Sequence, residues 1–381
     1  IFAGEPGSYI DADGPGGGNA GSQGFPGFQP GDETNSDRDN YAAYVDVELT
    51  PSDRLTADFA LRFEDYSDFG STVDGKIALA FKATDDFTLR GSVSTGFRAP
   101  SLQQRFFSST FTDFISGEPV DVLLAPNGGT IARAAGIPDL TEEQSMSGTL
   151  GFTWRPSESL SITVDAYQID IDDRIVLSGR FNTDDPNIGD ILADLNVGEA
   201  QFFINSVDTR TRGIDITAAW DSSLWGGELN SFFGLNYGET DVTAIHAPPS
   251  LVGREDVLLS ERERLFVENG SPESKGVIGF DWTRERWNAN LKFIYFGEQT
   301  LGTFSGPPVP NQEYNAKASA DVSLTYSISD TTKLTVGGAN IFDSTPTRQN
   351  PDETDNGHVY ESVQFGLNGA SWFVRLHSRF F

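Results

Sequence analysis

The sequence predicts an all-β protein, a transmembrane antiparallel β-barrel with long external loops and short turns at the opposite end. Three observations carry this expectation. From Tyr41 onward, thirteen segments alternate apolar and polar residues with a period of two, as strands with one greasy and one wet face do. The connections alternate between short polar turns and much longer loops, an asymmetry of outer-membrane barrels that a soluble sandwich has no reason to show. Trp154, Trp220, Trp282 and Trp287 fall beside the short turns, and Tyr237 and Tyr295 near the long loops, as two interfacial aromatic girdles would.

Composition fits this class and excludes others. The chain has 381 residues, 56 acidic against 26 basic, a net charge of −30 and no cysteine. No disulfide framework or thiolate chemistry is available, and the acidity argues against nucleic-acid binding, which needs a basic face. A solvated acidic surface accounts for the charge; a cation-attracting mouth is the sharper reading. No run of eighteen apolar residues exists, so a transmembrane helix is not expected. A mean hydropathy of −0.32 is no obstacle to a barrel, in which only alternate residues meet lipid. Ile1 to Pro6 lack the basic start and apolar stretch of a signal peptide, which places the expected N-terminus upstream.

The elements follow in order. Residues 1–40, rich in Gly, Pro and acids, read as an external loop. Asp11, Asp13 and Gly14 begin like a calcium loop, but Ser22 stands where its Glu should be, and no metal is expected there. Alternation then marks strands at 41–49, 55–63, 77–81, 87–96, 145–154, 160–165, 214–220, 229–237, 278–282, 287–295, 317–328, 334–336 and 372–376. Short turns are expected at 51–53, 84–86, 156–158, 221–226, 284–286 and 329–331. Long loops are expected at 64–72, 97–142, 172–205, 240–272, 297–315 and 341–365. Ile188, Ile191, Leu192 and Leu195 have helical spacing and predict a short helix inside one loop. Thirteen is an odd number, and closed bacterial barrels have an even one, so at least one strand is expected on the N-terminal side of this sequence.

The fourth strand ends in Gly96, Phe97, Arg98, Ala99 and Pro100, where Gly relaxes the backbone and Pro removes a ladder donor. With its strand, "RGSVSTGFRAPSL" closely resembles the barrel signature of TonB-dependent outer-membrane receptors. "GSQGFPGFQP", "PDLTEEQSMSGTLGF", "VDAYQIDIDDRI", "NSVDTRTRGIDIT" and "GGANIFDSTPTR" resemble the same family, as does the terminal Phe381, although the apolar phase of the last strand runs to Phe380. The resemblance implies a barrel of about twenty-two strands, of which 41–381 would be the C-terminal part. The plug domain and the N-terminal strands would lie outside this fragment. It also implies a Gram-negative outer membrane with its lipid and lipopolysaccharide, a TonB-ExbB-ExbD complex acting on the absent plug and its TonB box, and active uptake of a scarce nutrient.

Candidate ligand contacts are the loop residues Phe106, Phe107, Phe111, Phe114, Phe202, Phe203, His246, Phe304 and Tyr360; the alternative is that loop aromatics pack the loops together. Asp58, Arg62, Arg90, Asp165, Asp215, Lys292, Asp321 and Arg375, with Asp46 and Lys317, are expected to line the lumen. Arg98 suits a strand-end anchor paired with a carboxylate or backbone carbonyls; the alternative is contact with ligand or plug. Three histidines, His246, His358 and His377, stand without a nucleophile or metal-ligand pattern, so neither catalysis nor a cofactor is expected. Substrate classes left open are a ferric siderophore, cobalamin, an oligosaccharide or a peptide. Residues 1–40 carry seven acids against one Arg, which disfavours an anionic catecholate. A passive porin-like or structural barrel is the rival reading, and a soluble sugar-binding sandwich a more distant one.

Overall fold

Strict alternation becomes a single large antiparallel sheet in the computed structural model, which describes residues 32–115, 118–353, 359–360, 363–364 and 366–379. In chain order the strands are β1 (Asn40–Ser52), β2 (Leu55–Tyr66), β3 (Gly70–Lys82), β4 (Phe87–Arg98), β5 (Ser109–Ile115), β6 (Glu118–Leu124) and β7 (Glu143–Ser157). Next come β8 (Leu160–Leu177), β9 (Phe181–Asn182), β10 (Glu199–Gln201), β11 (Phe203–Leu224), β12 (Gly227–Ile245) and β13 (Ser274–Arg284). The last are β14 (Trp287–Phe296), β15 (Gln299–Leu301), β16 (Gln312–Tyr314), β17 (Lys317–Ser327), β18 (Thr332–Ala339) and β19 (Ser371–Ser378). Thirteen of them form the wall in the order β1-β2-β3-β4-β7-β8-β11-β12-β13-β14-β17-β18-β19, and each is one of the predicted runs.

Two connections differ from expectation. Residues 64–72 are not a long loop: β2 and β3 run on to pair Tyr66 with Gly70, leaving only 67–69 as a turn. Residues 221–226 look like a turn by composition, yet Asp221, Ser222 and Ser223 stay in register with Asn230, Leu229 and Glu228. The turn is Trp225-Gly226 alone, both with positive φ. In each case cross-strand pairing overrides the turn preference of small polar residues. The calcium-like stretch, most of the 1–40 loop, His358, Phe380 and Phe381 lie outside the described residues.

The two faces of the wall have opposite chemistry. Leu61, Ile77, Leu79, Val93, Leu150, Leu324, Val336, Val374 and Leu376 all stand exposed on one face, Leu150 at 70% and Val374 at 72%. A soluble sandwich would bury such a face; a bilayer covers it with lipid. Girdle residues Trp154, Trp287, Tyr237 and Tyr295 are exposed as well.

The other face carries the predicted lumenal residues in cross-strand pairs. Lys76 meets Asp58 at 3.2 Å, Lys292 meets Asp321 at 2.8 Å, and Asn236 donates to Asp215 at 2.8 Å. Arg90 reaches Asp165 two strands away, its Nε 2.8 Å from Oδ1. Gly151 makes this reach sterically open: it pairs with both residues, and a Cβ there would stand 2.1 Å from the Asp165 carboxylate. Tyr167 similarly lies against Gly213, where a Cβ would meet its hydroxyl at 2.3 Å.

No helix among the described residues is long and apolar enough to cross a membrane. About 9–11 tilted residues span a bilayer, and β8, β11 and β12, with 18, 22 and 19 residues, continue beyond it. On these extensions the long loops build a cap. It contains a four-stranded sheet ordered β5-β6-β10-β9, the β15-β16 hairpin, and helices α1 (Leu102–Phe106), α2 (Thr130–Ala135), α3 (Gly189–Asp194), α4 (Glu255–Leu258) and α5 (Glu261–Asn269). The predicted loop helix is α3.

The hydrophobic core of the described residues lies in this cap. Ile188, Leu192, Phe202, Ile204, Val207, Leu251 and Leu258 have no exposed surface. Phe181 meets Phe202 edge to face, with ring centroids 5.3 Å apart. In the rest of the wall, among the described residues, the buried apolar side chains are those of Ala57, Ile175 and Ala320.

Because the native chain has no cysteine, single substitutions can report on sidedness. Leu150→Cys and Ser147→Cys sit on opposite faces of β7. A fluorophore on Leu150→Cys should be quenched by brominated lipid, and Ser147→Cys should react with a water-soluble maleimide. The opposite pattern would invert the faces assigned to lipid and lumen.

Candidate functional site

The signature residues form a structural node at the outer rim. Arg98, at the end of β4, donates from Nε and Nη2 to the two oxygens of Glu143 at 2.5 Å each. Glu143 is buried at the start of β7 and also accepts the Ile175 N–H at 2.7 Å, so one fork joins three strands where the cap begins. Phe97 packs against Tyr66 and Phe69, with centroid distances of 5.8 and 6.4 Å. Arg38 lies over Tyr66 and Phe69, donates to Asp68 at 2.7 Å and to the Pro100 carbonyl at 2.7 Å. Ser101 then caps α1 by exchanging hydrogen bonds with Gln104, and Arg105 returns to Asp68. Burial opposes the charge of Asp68, but Arg38 and Arg105 together hold its carboxyl below the usual range. The anchor role expected of Arg98 is the geometry observed.

Within the cap, Arg180 is paired with Asp113 and, at 2.8 Å, with Glu199. Its guanidinium stacks on Phe304 at 4.5 Å, and Arg262 covers that ring at 3.9 Å, so three loops meet at one arginine-phenylalanine-arginine stack. Arg254 binds Asp185 at 2.5 Å; Asp185 in turn accepts the N–H groups of Asn187 and Ile188 at the start of α3. Glu263, on the first turn of α5, is buried beside Arg262, Ser260 and Gln201. That burial pushes its carboxyl above the usual range.

Between cap and wall lies a cavity of about 910 Å³. Its floor is the polar face of β8, β11 and β12, with Tyr167, Thr211, Asn236 and Thr240; Arg174 stands at its side. Its roof includes Phe111, Asp113, Arg180, Gln201, Arg262, Glu263 and Phe266. Three guanidinium groups, three carboxylates and three aromatic rings thus border one space large enough for a small-molecule ligand.

Of the sequence-predicted ligand contacts, Phe111 alone borders this cavity. Phe304 stands behind it in the arginine stack. Phe202 is fully buried in the cap core, where it holds the loops together, and Phe203 begins β11. Phe106 and Phe107 end α1 near the rim, with Arg105 over the Phe106 ring at 5.5 Å. Tyr360 is exposed, and the side chain of Phe114 lies outside the described residues. His246 caps the end of β12 and meets Asp208 at 2.7 Å; that contact raises its imidazole above the ordinary histidine value. Asp58, Arg90, Asp165, Asp215, Lys292 and Asp321, expected to line the lumen, lie on the polar face of the wall and do not border the cavity. Arg62 pairs with buried Glu64, and Arg375 sits at the short-turn end.

The cavity's Arg174, Arg180, Arg262, Glu263 and Phe266 were not foreseen as a site. The charge-alternating stretch Glu261-Arg262-Glu263-Arg264, followed by Leu265 and Phe266, carried the one available signal, that of a helix with a polar face.

An exposed apolar wall, ion pairs across its other face and a folded external cap over a cavity define an outer-membrane receptor barrel. Residues 2–341 match the family described as TonB dependent receptor-like, β-barrel, and the chain belongs to it. It is similar to the iron-regulated outer membrane virulence protein of Vibrio cholerae, 22% identical over 336 residues, which cover 86% of this chain and 43% of that protein. Among solved structures it resembles the siderophore receptor PirA from Acinetobacter baumannii, with a TM-score of 0.62 and 18% identity over 90% of this chain and 46% of that one. A variant of the ferric enterobactin receptor PfeA from Pseudomonas aeruginosa gives a TM-score of 0.62 at 15% identity, covering 94% and 47%. The chain thus spans about half the length of these relatives, and their place, the outer membrane of Gram-negative bacteria, is this protein's too.

Two variants test the site's construction. Arg98→Ala leaves buried Glu143 with only the Ile175 N–H, and should lower unfolding stability in urea by about 1–3 kcal/mol, Arg98→Lys by less. For Glu263, the folded cap holds the proton more tightly than the unfolded one. Cap stability should therefore fall as pH rises from the ordinary carboxylate range through the raised value. Protease nicking of the loops across pH should show this slope in the native chain and lose it in Glu263→Gln.

Proposed function

We propose that residues 41–381 form the C-terminal wall and cap of a TonB-dependent importer that takes a ferric siderophore across the outer membrane, with residues 1–40 as an external loop. The arginine-bordered cavity carries this reading. Acidity of the chain as a whole disfavours an anionic ligand at long range, but salt screens that field within about 8–10 Å. Inside the cavity, Arg174, Arg180 and Arg262 offer guanidinium donors beside Asp113, Glu263 and Glu268, and Phe111 and Phe266 offer ring faces to an aromatic chelator. The printed names of the relatives, iron-regulated and siderophore-receptor proteins, support the same class.

In this reading the cap captures the ferric complex at the surface and the polar wall below accepts it into the lumen. The TonB-ExbB-ExbD complex would supply energy through a plug segment contributed by the rest of the receptor, and the exposed wall would contact lipid and lipopolysaccharide. A passive barrel would need no such coupling.

Uptake of radiolabelled iron complexes by iron-starved cells tests the proposal. A strain lacking the full-length gene should lose uptake of one ferric siderophore, and so should a strain lacking TonB. Arg180→Ala with Arg262→Ala should reduce uptake at least about tenfold while the protein remains in the membrane. Uptake that persists without TonB would favour the passive barrel; loss of labelled cobalamin or oligosaccharide uptake instead would reassign the substrate.

A further inference from the structure

One of the aromatic rings bordering the cavity belongs to the wall and not to the cap. Tyr167 on β8 is directly opposite Gly213 on β11, and Gly213 is directly opposite Gly238 on β12. The three residues form one row across the sheet, and Tyr167 and Gly238 both border the cavity. The ring lies along this row. A Cβ on Gly213 would collide with the Tyr167 Cζ and hydroxyl, and one on Gly238 would stand 2.9 Å from that hydroxyl. Neither position has room for a side chain while the ring stays down. Glycine inside a strand packs nothing and weakens it, so two facing each other mark a place built for close approach. Here the approaching group is the ring.

The Tyr167 hydroxyl accepts from Asn236 Nδ2 at 3.3 Å, and the same amide donates to Asp215 at 2.8 Å. Tyr167 is thus fixed at both ends, by its backbone in β8 and by Asn236 two strands away. A ring held flat on glycines presents its other face to the space above, and Tyr167 is only half-buried. In the roof, charge is already engaged: Arg180 pairs with Asp113 and Glu199, and Arg262 with Glu263. The open ring face of Tyr167 is not, since among the described residues no second ring stacks on it.

We infer that Tyr167 is the stacking platform of the cavity and selects iron complexes with planar aromatic chelating groups over those with aliphatic chelators. This rests on the reading of the cavity as the importer's ligand site. Asn236 and the glycine row fix the ring before a ligand arrives, so offset stacking on it orders little that was free. A tyrosine lying over glycines also shields their backbone pairing. That role would register in stability alone and has no means of telling one ligand from another.

The test uses the full-length receptor in detergent and two labelled anionic probes, the ferric complexes of catechol and of citrate, with binding read by equilibrium dialysis. The native receptor should prefer the aromatic complex, and Tyr167→Leu should cut that preference about three- to tenfold. Tyr167→Phe keeps the ring and should keep the preference. Gly213→Ala lifts the ring without removing it and should behave like Tyr167→Leu. Should the Leu and Ala variants fail to show heat-modifiable migration, 3-fluorotyrosine at position 167 reports instead, with gallium in place of iron. The catechol complex should then move the fluorine resonance by its ring current, and the citrate complex should not. An unchanged preference in Tyr167→Leu, an equal loss in Tyr167→Phe, or an unmoved resonance would overturn the inference. If siderophore uptake still falls in Arg180→Ala with Arg262→Ala, the importer reading survives that result; a native receptor that binds neither complex overturns both.

Discussion

Backbone hydrogen bonding in lipid is the constraint on which the rest of this structure depends. A bilayer offers no partners for N–H and C=O groups, so every segment that crosses it must find them in a neighbouring strand. Thirteen strands in chain order meet that requirement through simple hairpin neighbours. Once the backbone is paired sideways, side chains can only point to lipid or to water, and the period of two follows. The two ends of the wall, β1 and β19, each have one neighbour among the described strands, and β1 is exposed along its whole length. Edges of this kind need partners inside a membrane.

The same constraint moves the hydrophobic core. In a soluble protein the wall's Leu, Val and Phe would pack against each other; here they face outward, and core formation passes to the loops. The cap is held by Phe181, Phe202, Ile188, Leu192 and their neighbours, and is tied to the wall by buried charge. Arg98 with Glu143 fixes β4, β7 and β8 at the point where the chain leaves the membrane. Arg180 with Asp113 and Glu199 fixes loops to one another. Breaking the buried Arg180 pair leaves a desolvated charge behind, at a typical cost of about 3–5 kcal/mol, whereas the Arg98 side chain is half exposed and its loss costs less. Such pairs therefore specify where the loops sit more than they add net stability.

Much of the wall was legible in the sequence because lipid and water impose a two-residue period that composition alone records. All thirteen strands and the division of the wall into an apolar and a polar face could be read from alternation. The errors came where pairing overruled composition: Asp221, Ser222 and Ser223 look like a turn but stay in the ladder, and 64–72 closes as a tight turn. Arg98 could be read as an anchor, yet its partner Glu143 is 45 residues away and no local pattern marks it. The cap was opaque for the same reason. Its site is assembled from Phe111, Arg180, Gln201 and Glu263 on different loops, and tertiary packing alone brings them together. Loop phenylalanines seemed candidates for ligand contact, whereas Phe202 is committed to the core.

The central claim is that apolar residues are divided, those of the wall going to lipid and those of the cap to a separate core outside the membrane. Amide hydrogen exchange on the protein in outer-membrane vesicles tests this most directly. The account predicts slow exchange at Leu192, Phe202 and Ile204, lost in mild denaturant while the amides of β7 and β13 remain protected. Exchange of those cap amides at the rate of an unstructured loop, before any denaturant is added, would contradict it.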